Sequence, residues 1–429
     1  MSFKELDLDE RLSQSIADLG YRNLTQIQAE AIPAVQAGHD VLGIAQTGTG
    51  KTAAFCLPIL DILLANKVKA KSKKPTVLIL APTRELAAQI HDEIAKFSKG
   101  TGLRYASITG GVNQRPQEKV LQKGVELLVA TPGRLLDLAA NHHVDLSEVV
   151  HFVLDEADQL LNMGFIRDIR KIVVRLPELR QSLLFSATMP KEVEKLAADI
   201  LFQPLRLQVT PKVVTVKKVD QHFVAVPAKQ KQQALQQLLA QSEVHKAIVF
   251  TRTKHGANKV AKKLDKSGFG VEVIHGNKSQ NARNRALDNF KSGRAWVMVA
   301  TDVAARGIDI QEISHVVNFD IPHEAEVYVH RVGRTARAGA TGVAWSLVDP
   351  EEKSRVRAIE RLTKVKPQWL ALELDDEIEV PQRVQTEQVS AQDAVPAQNR
   401  TNEKNAEGGT GRKRRRRRRG RRRTADKAA

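Results

Sequence analysis

Cysteine is almost absent: Cys56 is the only one among 429 residues. A lone thiol forms neither an intrachain disulfide nor a Cys-rich zinc site, which suits a reducing compartment. Aromatic residues are scarce at 4%, so Val, Ile, Leu and Ala must supply the apolar volume. No run of about 20 apolar residues occurs, and the opening MSFKELDLDE is acidic and lacks the apolar core of a secretion signal. A cytoplasmic protein without a membrane span is expected.

Acidic residues are also in deficit, with 49 Asp and Glu against 67 Lys and Arg, a net charge of +18. Such an excess points to a polyanionic partner, because each neutralised phosphate releases condensed counterions. Residues 401–429 hold thirteen Lys or Arg and three Asp or Glu, a net +10 that leaves +8 for the body. After Trp369 no aromatic residue remains, and the composition shifts to Gln, Glu, Ala and Asn before GRKRRRRRRGRRR. That end predicts a disordered tail whose Arg tract, Arg412 to Arg423, tethers a polyanion electrostatically without base stacking.

What remains is 42% hydrophobic and long enough for two or three domains. Short β-branched runs alternate with helical stretches: Val41 to Ala45, Thr76 to Ala81, Glu126 to Ala130, His151 to Asp155 and Ser182 to Ser186. A second series follows at Ala247 to Thr251, Val271 to His275, Trp296 to Thr301, His315 to Asn318 and Gly342 to Val348. This rhythm predicts an α/β chain of two parallel sheets flanked by helices, with a linker at 210–219.

The segment AQTGTGKT, Ala45 to Thr52, falls between an apolar strand and a helix, where a phosphate loop must sit. Small residues let successive N–H groups surround phosphates, Lys51 reaches the terminal phosphates and Thr52 can ligate magnesium. Ala45 stands where the strict pattern has its first Gly. About a hundred residues on, the strand HFVL delivers DEAD, Asp155 to Asp158, at its carboxyl end. Asp155 can hold the magnesium shell and Glu156 can deprotonate the attacking water. His142 and His143 lie in a polar loop without other metal-ligand types, Lys67 to Lys74 reads as a solvated insertion, and Cys56 as a small buried apolar residue.

In this order the phosphate loop, DEAD and the SAT of Ser186 to Thr188 resemble the DEAD-box RNA helicases of superfamily two, bacterial RhlE-like members in particular. The resemblance runs over about residues 3 to 350 and continues through PTREL (Pro82 to Leu86), Gly110 and Gly111, TPGR (Thr131 to Arg134), ARGID (Ala305 to Asp309) and HRVGRTAR (His330 to Arg337). It implies two tandem RecA-like domains, 1–209 and 220–365, and a tail from 366, with ATP and magnesium bound where the domains close. By the same resemblance Phe3, Tyr21 and Gln28 form a Q motif, the aromatic packing on adenine and the Gln amide reading its edge. Leu24 stands where the family usually has Pro.

Further nucleotide contacts are implied for Ala45, Gln46, Thr47, Gly48, Thr49, Gly50, Lys51, Thr52, Gly307 and Asp309. Ser186 and Thr188 join the catalytic set. Arg334 and Arg337 become arginine fingers, and His330 and Arg331 bridge toward DEAD and SAT. RNA contacts are implied at Pro82, Thr83, Arg84, Gly110, Gly111, Thr131, Arg134, Thr251, Arg283 and Thr301, through phosphate and 2′-OH rather than base edges. The activity implied is RNA-stimulated ATP hydrolysis with local duplex unwinding by a monomer serving ribosome assembly or RNA decay. The rivals are an ATP-gated RNA clamp and a DNA translocase.

Overall fold

The computed structural model describes residues 2–46, 48–209, 219–302, 313–336 and 341–374. Thr47, Gly307, Asp309, Arg337, all but the last residue of the expected linker, and the Arg tract lie outside the described residues.

The first sheet has seven parallel strands: β1 (Val41–Ile44), β2 (Val77–Leu80), β3 (Tyr105–Ile108), β4 (Leu127–Ala130), β5 (His151–Leu154), β6 (Gln181–Ser186) and β7 (Leu205–Gln208). Their order is β3-β4-β2-β5-β6-β1-β7. The second comprises β8 (Val219–Ala225), β9 (Ala247–Phe250), β10 (Val271–Ile274), β11 (Val297–Ala300), β12 (His315–Asn318), β13 (Gly342–Val348) and β14 (Gln368–Leu370). Its order, β10-β11-β9-β12-β13-β8-β14, repeats the first with every strand displaced by seven. The two domains therefore share one topology.

Strands β2, β4 and β9 are wholly buried apolar runs, as strands covered by helices on both faces must be. In the first domain Leu, Ile, Val and Phe pack in two clusters, one on each face of the sheet. Cys56 is fully buried in one of them, and burial pushes its thiol well above the usual range.

Four strands escape the sequence pattern. β3 alternates between buried and half-buried, β7 is an exposed edge, β14 has three residues, and β8 begins at Val219, inside the expected linker. The second domain does not end at 365. β14 pairs in parallel with β8, and Leu370, Leu372 and Leu374 pack on its core. Lys67 to Lys74 is solvated, each residue exposed or half-buried, and is also tied down: Lys71 and Lys74 pair with Glu148, Lys73 N–H donates to Leu121 O, and Ser72 Oγ donates to Gln122 O.

Candidate functional site: an interdomain nucleotide and nucleic-acid centre

Strand order divides the carboxyl edge of the first sheet in two. β5, β6 and β1 are adjacent, so DEAD, Ser186 and the phosphate loop emerge side by side. β3, β4 and β2 form the other half, from which Gly110, Thr131 and Thr83 emerge. Ligands collect at this edge because the connections leave a crevice there.

The loop after β1 turns through Gly48 and Gly50, at φ +88° and +89°, into α3 (Lys51–Ala65). Gly50 is required twice over: its φ is left-handed, and a Cβ would stand 2.3 Å from Gln28 Nε2. Lys51, 6% exposed, donates to Ala45 O at 2.9 Å, while Thr52 is half-buried. Gln28 is buried against this loop, its Nε2 donating to Gly50 O at 3.2 Å and its Oε1 accepting from Thr25 N–H at 2.9 Å. An amide retains one N–H and one lone pair beyond those bonds. Phe3 belongs to the core, its ring 5.8 Å from that of Tyr21, and both line a cavity of about 500 Å³.

Asp155 and Glu156 are each 2% exposed. Glu156 has φ +52° and ψ +52° and opens α7 (Ala157–Asn162), a left-handed conformation that non-glycine residues rarely adopt. Its N–H donates to Asp155 Oδ1 at 2.9 Å. Burial raises both carboxyl groups, with Lys51 opposing the rise. Glu156 is pushed up to about 7 by burial, with Asp155 and Asp158 adding to the rise and Lys51 and Arg334 countering it. Arg334, 6% exposed, belongs to the second domain and acts on a carboxylate of the first.

Asp158 ties DEAD to SAT, its Oδ2 accepting from Thr188 Oγ1 at 2.8 Å and Thr188 N–H at 3.1 Å. Ser186 Oγ accepts from Asp158 N–H and donates to Thr188 O. The sequence reading did not single out Asp158, although its place in the tetrapeptide was a signal.

Arg331 corrects an expectation. It does not bridge to DEAD or SAT: it forms a bidentate pair with Asp302, donates to Asn318 Oδ1 and Asp320 O, and lies over the Phe250 ring, all within its own domain. A buried guanidinium needs that many partners. His330 is half-buried on the same helix, Ala325–Val332.

On the other half of the edge, Pro82, Thr83, Arg84, Gly110, Thr131 and Arg134 line a cleft of about 440 Å³ together with Gly276 and Arg283 of the second domain. Gly111, at φ +71°, lies under Arg84, where a Cβ would strike its guanidinium. Thr83 Oγ1 accepts from Leu86 N–H and caps α4 (Arg84–Phe97). Arg283 pairs with Glu85 at 2.8 Å, and Gln280 bridges Glu85 and Arg84, so the domains meet here through two residues the sequence reading missed. Burial and the guanidiniums of Arg283 and Arg134 hold Arg84 below its usual range. Arg134 Nη1 and Arg283 Nε are buried and make no hydrogen bond. Thr251, fully buried with its Oγ1 donating to Thr253 O, and Thr301 are not among the lining residues.

A phosphate loop and buried carboxylates in one RecA-like domain, answered by an arginine from a second of identical topology, define a two-domain nucleotide-driven motor. The chain belongs to the DEAD-box ATP-dependent RNA helicases. Residues 25–196 match the DEAD/DEAH box helicase family and 230–339 the helicase conserved C-terminal domain. It is 43% identical to the DEAD-box ATP-dependent RNA helicase CshA of Bacillus thuringiensis over 91% of this chain and 73% of that protein. It is 42% identical to CshA of Listeria monocytogenes over 92% and 75%. Among solved structures, S. cerevisiae Dbp5 bound to RNA and ADP BeF3 is similar with a TM-score of 0.78 and 31% identity, covering 86% of this chain and 95% of that one. Mss116p bound to ssRNA and AMP-PNP gives 0.79 and 30%, covering 88% and 81%.

Proposed function

We propose that this helicase hydrolyses ATP between its two RecA-like domains when RNA occupies the cleft, and that domain closure separates short duplexes locally. The observation that carries the reading is the ion pair of Arg283 in the second domain with Glu85 in the first at 2.8 Å, because it apposes the domains so that the charge of Arg334 bears on Glu156 and hydrolysis depends on that apposition. Glu156, with its proton affinity near neutrality, accepts the proton of the attacking water. Lys51 holds terminal phosphate, Arg334 and Arg337 neutralise charge developing on the γ-phosphoryl group, and Gln28 offers its remaining donor and acceptor to adenine. Ser186 and Thr188, through Asp158, hold the acidic turn in place.

Magnesium fits this site: two adjacent carboxylates raised by burial are a poor arrangement without a cation, and Thr52, next in the chain to the Lys51 whose charge bears on both, offers a neutral oxygen. Asp155 and Thr52 would hold it, and it would neutralise charge on the β- and γ-phosphates.

The cleft takes a single RNA strand through phosphate and 2′-OH. Three crowded guanidiniums, two with unbonded buried nitrogens, are a seat for polyanion oxygens. The enzyme would act as a cytoplasmic monomer in ribosome assembly or RNA decay. Comparing ATPase stimulation by RNA and by DNA, alongside displacement of a short RNA duplex, tests the reading. Stimulation by RNA with ATP-dependent displacement is expected; hydrolysis without displacement leaves a clamp, and equal stimulation by DNA removes the RNA assignment.

A further inference from the structure

The match to the helicase C-terminal family ends at residue 339. Beyond it, the helix Lys353–Thr363 and β14 carry a feature that neither the nucleotide site nor the cleft uses. Lys353, Arg357 and Arg361 recur at i, i+4 and i+8, so about 3.6 residues per turn brings the three onto one stripe, and Lys364 follows as the residue that ends the helix. All four are exposed, as is Lys366. Among the described residues no carboxylate pairs with any of them, and Glu352 at the head of the helix is taken by Lys231, Arg252 and Arg355. Like charges at this spacing repel along the helix, and within the stripe Arg361 Nε donates to Arg357 O at 3.4 Å.

An exposed aromatic ring lies on the strand that follows this helix. Trp369 is in register with Phe223, whose cluster includes Val356 and Ile359 from the inner face of the helix. Residues in register in a parallel pair share a sheet face, which puts Trp369 on the face this helix covers. Its ring rests against Phe223 at 5.9 Å and stays 50% exposed, whereas Trp296 and Trp345 are buried.

We infer that the stripe and Trp369 form a second RNA site, outside the interdomain cleft, that holds a single-stranded flank of the bound RNA. The three aligned cations and Lys364 meet phosphates of the strand, and the indole stacks on an unpaired base. An acidic protein segment would use the cations but leave the ring without a role, and duplex RNA keeps its bases stacked away from it. The inference rests on the reading of this chain as an RNA-binding enzyme.

The test uses the full-length protein with a non-hydrolysable ATP analogue, one RNA of about ten nucleotides and the same RNA extended by a single-stranded flank to about thirty. The extended RNA is expected to quench tryptophan emission, Trp369 being the exposed indole. The combined variant Arg357→Gln, Arg361→Gln, Lys364→Gln, and separately Trp369→Ala, should bind the extended RNA about fivefold or more weakly than wild type. Both should bind the short RNA equally well and keep the ATPase rate at saturating RNA. The combined variant alters only exposed side chains, so its folding is not in question. No quenching, together with unchanged binding of the extended RNA by that variant, overturns the second site. If the short RNA fails to bind wild type while the extended RNA still quenches Trp369, the cleft reading falls and the second site stands.

Discussion

At Glu156 a left-handed backbone, near-complete burial and two neighbouring carboxylates coincide. Such a backbone costs about 1–3 kcal/mol and persists only where surrounding contacts enforce it, here the Asp158–Thr188–Ser186 network. Glu156→Gln keeps the shape and removes the base. It should leave ATP and RNA binding intact while RNA-stimulated hydrolysis, measured in a single turnover, falls about 10² to 10⁴-fold. A rate within about threefold of wild type, less than about 0.7 kcal/mol of barrier, would take the base role from Glu156.

A second residue-scale expectation concerns His151, whose Nδ1 meets Gln181 Oε1 at 2.9 Å while Gln181 Nε2 donates to Val35 O and His39 O. Burial holds its imidazole below the ordinary range, with the Gln181 bond opposing. The unfolded chain therefore binds protons more readily than the folded one. The stability this residue confers is present above about pH 6.5 and is lost as pH falls through the lower folded-state value. Melting temperatures of wild type and His151→Gln from pH 7 to 5 should converge as pH falls; a constant difference would mean that His151 does not titrate in that window.

The elements show what was legible. Central strands such as Val77–Leu80 and Ala247–Phe250 announce themselves, because burial on both faces demands unbroken apolar runs. The edges do not: Leu205–Gln208 is largely exposed, and Gln368–Leu370 is too short to show a period. Motif residues were legible because their chemistry dictates residue types at a strand end. Glu85, Gln280 and Asp302 were not, because they act on partners remote in sequence. The domain boundary follows the same logic. A chain ended at Lys366 should lose about 2 to 4 kcal/mol of second-domain stability in urea relative to one ended at Leu374, because β14 and three half-buried leucines go with it. Equal stabilities would return the boundary to residue 365.

For the whole molecule, one topology used twice gives each domain a carboxyl edge whose halves do different work, and the paired edges align only when the domains meet. On one half Arg283 reaches Glu85; on the other Arg334 acts on Glu156. In the proposed cycle, nucleic acid bound to the first half sets the position of the arginine needed by the second. The most direct measurement is the steady-state ATPase rate of Arg334→Ala at saturating RNA, with ATP affinity of the isolated first domain as the reference. The account predicts a loss of about 10³ to 10⁵ in rate, while the isolated domain, which lacks this residue, binds ATP independently of it. RNA-stimulated hydrolysis within about threefold of wild type would contradict catalysis shared between the domains through Arg334.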